Sequence, residues 1–109
     1  MANIGDTVSF TASKYKNLFV SDDKRYTIAY FTVNARDARL YLPQDAKTKQ
    51  YGTTHMFIVK GFIPDGIDNI AYELTGCWSI DKNRNQPYLD VQKANISIPT
   101  RKKSVIASL

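Results

Sequence analysis

Alternation of apolar and polar positions divides most of the chain into strand-sized segments that end at polar turns. The predicted strands span 8–20, 25–33, 56–63, 70–79 and 88–98. The strand 25–33 is apolar on both faces, as in a central strand or one that uses its outer face for contacts. In the last strand the apolar parity changes between Val91 and Ala94, which predicts a bulge.

The remaining segments lack this alternation. Residues 39–42 are predicted to form a short strand that Pro43 ends, and 44–52 a loop with at most one helical turn. Residues 100–109 have the pattern of an opening helix, with Thr100 as its N-cap. In that helix an unpartnered apolar stripe would await a partner, which predicts that the chain continues into a longer protein. The stripe consists of Val105, Ile106 and Leu109.

Several short strands, tight turns and no long internal helix predict an all-β domain. At this length the favoured architecture is a five- to six-stranded antiparallel OB-like Greek-key barrel over 1–99, followed by a helical linker from 100. An SH3-like barrel or a small sandwich is the alternative.

The composition fits one small domain. Its 109 residues carry a formal net charge of +5, but three of the cations form the run 101–103, so the rest is only mildly basic. Such a balance suits a polyanionic partner, and equally a solvated surface. Cys77 is the only cysteine, which excludes an internal disulfide and fits a reducing cytoplasm. No apolar stretch is long enough for a membrane span, so we expect a soluble cytoplasmic protein.

Catalytic motifs are absent from the sequence. No phosphate-binding loop of the form GxxxxGK[ST] occurs, and His55 is the only histidine. Cys77 follows Gly76 and precedes Trp78 in an apolar strand, where a small buried side chain is expected rather than a nucleophile. We therefore predict that this chain is not an enzyme and holds no metal or cofactor.

Aromatic and basic residues alternate through the predicted sheet. Proteins bind single-stranded nucleic acid with such sets, because rings stack on bases and cations pair with phosphates. The candidate binding residues are Tyr15, Lys16, Arg25, Tyr26, Tyr30, Lys60, Tyr88 and Lys93, with Phe57 beside Lys60 in the same pattern. Use of these rings in the core is the competing explanation, since strands recruit aromatic residues in any case.

Several of these segments resemble one protein family. They are YTIAYFTV at 26–33, FIVKGFIP at 57–64, YELTGCW at 72–78, QPYLDV at 86–91, IPT at 98–100 and SVIASL at 104–109. Together they resemble the N-terminal domain of RecD-like (YrrC-type) ATP-dependent DNA helicases. The chain departs from the family pattern at Arg25, at Cys77 and at 85–87.

The resemblance implies an OB-like domain of a DNA repair or recombination helicase whose motor uses ATP and magnesium elsewhere in the parent protein. The first hypothesis for this chain is accordingly an accessory domain that binds single-stranded DNA. The alternative is a protein-interaction module that docks on the helicase core or on a partner through its exposed aromatic face and the 105–109 stripe.

Overall fold

The computed structural model describes residues 2–43, 49–51, 54–64 and 70–97. Within them lie six strands and one short helix. They are β1 (Thr7–Val20), β2 (Thr27–Asn34), α1 (Ala35–Tyr41), β3 (Lys49–Tyr51), β4 (Thr54–Gly61), β5 (Ala71–Asp81) and β6 (Gln86–Ile96). Each of the predicted long strands is present, with its ends shifted by a few residues.

Five of these strands close into a barrel. The strand order around the barrel is β1, β2, β4, β6 and β5, and β5 pairs with β1 to close it. Strand β3 lies outside this ring and pairs only with β4. The pairing of β4 with β6 is parallel, and the other described pairings are antiparallel. This is the OB-like arrangement, and it confirms the predicted fold class; the expectation of a wholly antiparallel sheet was wrong at the β4–β6 pair.

Bulges curve two of the barrel strands. The register of β1 against β2 shifts between Lys14 and Lys16 and again between Asn17 and Phe19. The register of β5 against β6 shifts at Thr75 and Gly76, opposite the parity change that predicted a bulge in β6. Each extra residue increases local twist, which lets so few strands close into a barrel.

The predicted strand at 39–42 is wrong, because α1 occupies this stretch. The Asn34 side chain caps the helix by accepting a hydrogen bond from the Asp37 N–H at 2.8 Å. Ala38 is buried against the barrel, and the Trp78 indole N–H donates to the Tyr41 carbonyl at 2.7 Å. The loop predicted for 44–52 is also interrupted, since β3 forms a hairpin with β4 there.

Buried aromatic rings fill the barrel. Tyr72 and Phe31 meet edge to face with centroids 5.5 Å apart, and Phe57 packs at 5.8 Å from both Phe10 and Trp78. Trp78 is 1% exposed, as its alternation with other apolar residues in β5 predicted. Because these rings pack the inside of the barrel, the candidate binding surface lies on its outside.

The predicted helical linker from 100 onward lies outside the described residues, together with its stripe of Val105, Ile106 and Leu109. Over the part of the chain that is described, no helix has the length and apolar character needed to cross a bilayer.

Candidate nucleic-acid interface

Cross-strand pairing aligns four side chains in a row on the outside of the barrel. Tyr30 of β2 lies opposite Lys16 of β1 and Ile58 of β4, and Ile58 lies opposite Tyr88 of β6. Because neighbouring strands are about 4.8 Å apart, the row extends roughly 15 Å across the surface. We call these four residues the tyrosine row.

The two rings of the tyrosine row are accessible from solvent. Tyr30 and Tyr88 are half-buried, whereas their chain neighbours Ala29, Phe31 and Leu89 point into the core and are fully buried. Ile58 is buried between the rings on the outer side, where it forms an apolar floor. The row therefore combines two ring faces, an apolar base and the exposed cation of Lys16 at one end.

A groove with a volume of about 260 Å³ runs beside the row. Its lining consists of Leu18, Ile28, Ile58, Lys60, Asp81, Asn83, Arg84, Gln86 and Tyr88. The volume lies just below the roughly 300–1,000 Å³ of sites that enclose a whole drug-sized ligand. A planar group of the size of one nucleobase suits the space better than a large cofactor.

Lys60 lies at the centre of this groove and contacts two of its walls. Its Nζ is 4.2 Å from the centroid of the Tyr88 ring and 3.4 Å from Oδ2 of Asp81. The side chains of Lys60 and Asp81 are 19% and 23% exposed, so both are largely shielded from water. The ammonium is thus held over the ring by a cation–π contact and an ion pair together.

The turn between β5 and β6 forms one wall of the groove. Asp81 holds its start by accepting the Asn83 N–H at 3.0 Å on Oδ1, and Asn85 adopts a positive φ of 49° that closes the turn. Burial acts to raise the pKa of the Asp81 carboxyl, but the Asn83 N–H, Lys60 and the Arg84 N–H outweigh it and leave this pKa below its ordinary value. Asp81 is consequently ionised at neutral pH.

Side-chain hydrogen bonds hold the turn between β1 and β2. Asp23 accepts hydrogen bonds from the Ser21 hydroxyl at 2.6 Å and from the Arg25 N–H at 3.0 Å. The Ser21 hydroxyl and the Arg25 N–H lower the pKa of Asp23. Lys24 has a positive φ of 60°, and Tyr26 returns the chain to β2 by donating its N–H to Ser21 Oγ.

The eight candidate binding residues are distributed unevenly over the barrel. Lys16, Tyr30, Lys60 and Tyr88 belong to the tyrosine row or its groove. Tyr15 is 51% exposed at the first bulge of β1, one residue before the row.

The other three candidates lie apart from the groove. Arg25 and Tyr26 are exposed beside the β1–β2 turn, and Arg25 lines a different cavity with Val20 and Phe62. Lys93 is exposed in β6 opposite Thr75, five residues and about 16 Å along the strand from Tyr88. Phe57, which the alternating pattern placed beside Lys60, is buried in the core.

Four polar residues of the groove were not among the sequence candidates: Asp81, Asn83, Arg84 and Gln86. Asp81 ends β5, Gln86 begins β6, and the other two lie in the turn between these strands. A signal for them did exist, because OB-folds bind ligands with the loops at one end of the barrel as well as with the sheet. The predicted fold therefore already gave a reason to consider this turn.

Cys77 is half-buried rather than buried, and its thiol donates to the Gly5 carbonyl at 3.3 Å. Among the described residues, no three His, Cys, Asp or Glu side chains come together as metal ligands.

No family model, curated protein or solved structure matches this chain.

Proposed function

We propose that this domain binds single-stranded DNA across the tyrosine row and the adjoining groove. The observation that carries the proposal is the register that aligns Lys16, Tyr30 and Tyr88 on one outer face, next to Lys60. Rings that stack on bases and cations that pair with phosphates are the two elements of sequence-tolerant recognition of a single strand. OB-folds use the corresponding face of the barrel for oligonucleotides.

Stacking supplies the first part of the binding energy. Tyr30 and Tyr88 stand on either side of Ile58, so their strands are two spacings, or about 10 Å, apart. A single strand with splayed bases satisfies this separation, whereas a duplex keeps its bases stacked on each other. The proposal therefore favours single-stranded over duplex DNA.

Phosphate contacts supply the second part. Three cations lie on this face. Lys16 is at one end of the tyrosine row, Lys60 is in the groove, and Arg84 is on the wall that the β5–β6 turn forms. Neutralising three phosphates of a single strand gives a slope of about −2 for log K against log salt concentration. Moderate affinity with clear salt dependence is the expected behaviour.

The experiment is fluorescence anisotropy with the 109-residue chain and a labelled thymidine oligomer of about 12 nucleotides, within the range that one OB-fold covers. Binding is measured between about 50 and 200 mM salt, with a duplex of equal length for comparison. We expect tighter binding of the single strand and a slope near −2. A folded sample that binds neither DNA at the lowest salt contradicts the proposal.

Paired variants locate the binding face. Tyr88→Ala removes a stacking ring and is expected to weaken binding about tenfold, within the range of 1–3 kcal/mol per stacked base. Lys16→Gln is expected to make the salt slope shallower by about 0.7. Lys93→Gln makes the same change of charge about 16 Å away from the row and is the matched control, with no change in slope expected.

The RecD-like helicase setting is a further proposal, and it rests on the sequence resemblance. It is tested in the parent reading frame, where a phosphate-binding loop downstream of Leu109 is expected. A reading frame that encodes no ATPase motif anywhere contradicts the helicase setting while leaving the DNA-binding proposal intact.

The second candidate function is protein docking, and one observation favours it. Val20 and Phe62 line a cavity at one end of the barrel, and Phe62 is 58% exposed. Exposed apolar groups that cluster are typical of contact surfaces. Replacing Phe62 by Ser separates the two functions, since single-strand binding is expected to survive this change if the tyrosine row carries it.

A further inference from the structure

Lys60 is engaged twice within the unliganded domain. Its ammonium covers the Tyr88 ring at 4.2 Å and pairs with the Asp81 carboxylate at 3.4 Å. A base that stacks on this face of Tyr88 must displace the ammonium, and a phosphate that binds the ammonium must replace the carboxylate. The proposed function requires the Tyr88 ring and the Lys60 ammonium. Both are occupied as long as Lys60 covers the ring and pairs with Asp81.

We propose that Asp81 is an intramolecular competitor of the DNA phosphate at Lys60. This inference rests on the proposed function, and it names the residue that limits affinity at that site. When a nucleotide binds, its phosphate takes the place of the Asp81 carboxylate on Lys60, and movement of Lys60 uncovers Tyr88 for the base. Stacking and phosphate binding then occur together. A ligand that lacks either the base or the phosphate therefore binds less tightly.

The geometry of Asp81 separates this role from a structural one. Its two oxygens have different partners, since Oδ1 accepts the Asn83 N–H and Oδ2 accepts from Lys60. Asp81→Asn retains an oxygen acceptor for the turn and removes the negative charge that holds Lys60. The variant is therefore expected to fold with the β5–β6 turn unchanged.

A neighbouring carboxylate provides a control. Asp90 of β6 lies opposite Lys60 in the β4–β6 register and is exposed, and no ion pair with the described residues involves it. Asp90→Asn changes the net charge by the same amount beside the same lysine. This variant shows how much the loss of one negative charge alone strengthens DNA binding, because it does not release the Lys60 ammonium.

The first measurement compares the single-strand affinities of the wild type and the two variants. Asp81→Asn is expected to bind the single strand about two- to fivefold more tightly at about 50 mM salt. This ratio of affinities corresponds to the free energy that a partly exposed ion pair contributes. The gain is expected to shrink at about 200 mM salt, because screening weakens the ion pair in the wild type. Asp90→Asn is expected to give a clearly smaller gain. Equal gains from both variants, or no gain from Asp81→Asn, overturn the inference.

The second measurement follows Lys60 directly by NMR. Protons held over an aromatic ring resonate upfield, so the Lys60 ε-methylene is expected upfield of the other lysines in the free protein and to lose this shift when the oligomer is added. A signal that stays upfield in the bound state overturns the inference even if DNA binds. Absence of DNA binding by the wild type contradicts the proposed function instead, so the two failures are distinguishable.

Discussion

Gly76 lies where the backbone of β6 comes close to β5. A Cβ built there would lie 2.5 Å from the Asp90 carbonyl oxygen and 3.0 Å from the Val91 Cα, and both are backbone atoms that cannot rotate away. The glycine coincides with the register shift between these strands. Its missing side chain therefore permits the close approach of the β5 and β6 backbones at this shift.

Gly76→Ala is expected to lower the free energy of unfolding by about 1–3 kcal/mol, because the β6 backbone must move to admit the methyl group. Urea denaturation measures this change. Glu73→Ala, on the exposed face of the same strand, is the control and is expected to stay within about 0.5 kcal/mol of the wild type. Equal stability of the Gly76 variant and the wild type would show that the close approach is not enforced.

Among the elements, α1 depends on contacts from the barrel. Seven residues are too few for a stable isolated helix, so its ends must be held. Asn34 satisfies the first turn through the Asp37 N–H, and the Trp78 indole binds the Tyr41 carbonyl in the last turn. Phe10 also stacks on the Tyr41 ring with centroids 5.0 Å apart. The helix thereby covers one end of the barrel.

Asn34→Ala removes the N-cap and is expected to destabilise the protein by about 1 kcal/mol. Thermal and urea unfolding both report this loss. Asn34→Asp keeps an oxygen acceptor at the same position, so its stability is expected to remain near that of the wild type. If the alanine variant and the wild type unfold at the same temperature and the same urea concentration, the cap does not contribute to the stability of α1.

The long strands were predictable from sequence and α1 was not, for a physical reason. Alternation reflects which face is buried, and it remains visible in β5, where Tyr72, Leu74 and Trp78 all point inward. The helix has no comparable stripe, because Ala38 alone is buried in it and the main anchor, Trp78, is forty residues away in the chain. The pair Asn34 and Asp37 was the one local sign of a helix start.

For the whole molecule, the candidate site depends on how strands are aligned with each other. Alternation separates Tyr30 from Phe31 and Tyr88 from Leu89, although strand 25–33 is apolar on both faces. Two bulges in β1 decide that Lys16 is the residue opposite Tyr30. Each bulge shifts the alignment by one residue, and this shift cannot be read from one strand alone. Lys93 lies far from the row for a different reason, because it is five residues farther along β6 than Tyr88.

The barrel also separates the tyrosine row from the rest of the surface. The interior is filled by rings such as Trp78 and Phe31, so ligand binding requires no opening of the core. The cations of the row and groove are balanced in part by Asp81, which predicts moderate affinity for a polyanion rather than tight nonspecific binding.

The most direct test of this account is a backbone amide NMR titration of the whole chain with the thymidine oligomer. The account predicts that shift changes concentrate on Lys16, Tyr30, Ile58, Tyr88 and the 82–85 turn, while the amides around Lys93 and Thr75 stay unchanged. Changes confined to the Lys93 side of the barrel or to the surroundings of Phe62, or no changes at low salt, would contradict the assignment of the tyrosine row as the binding face.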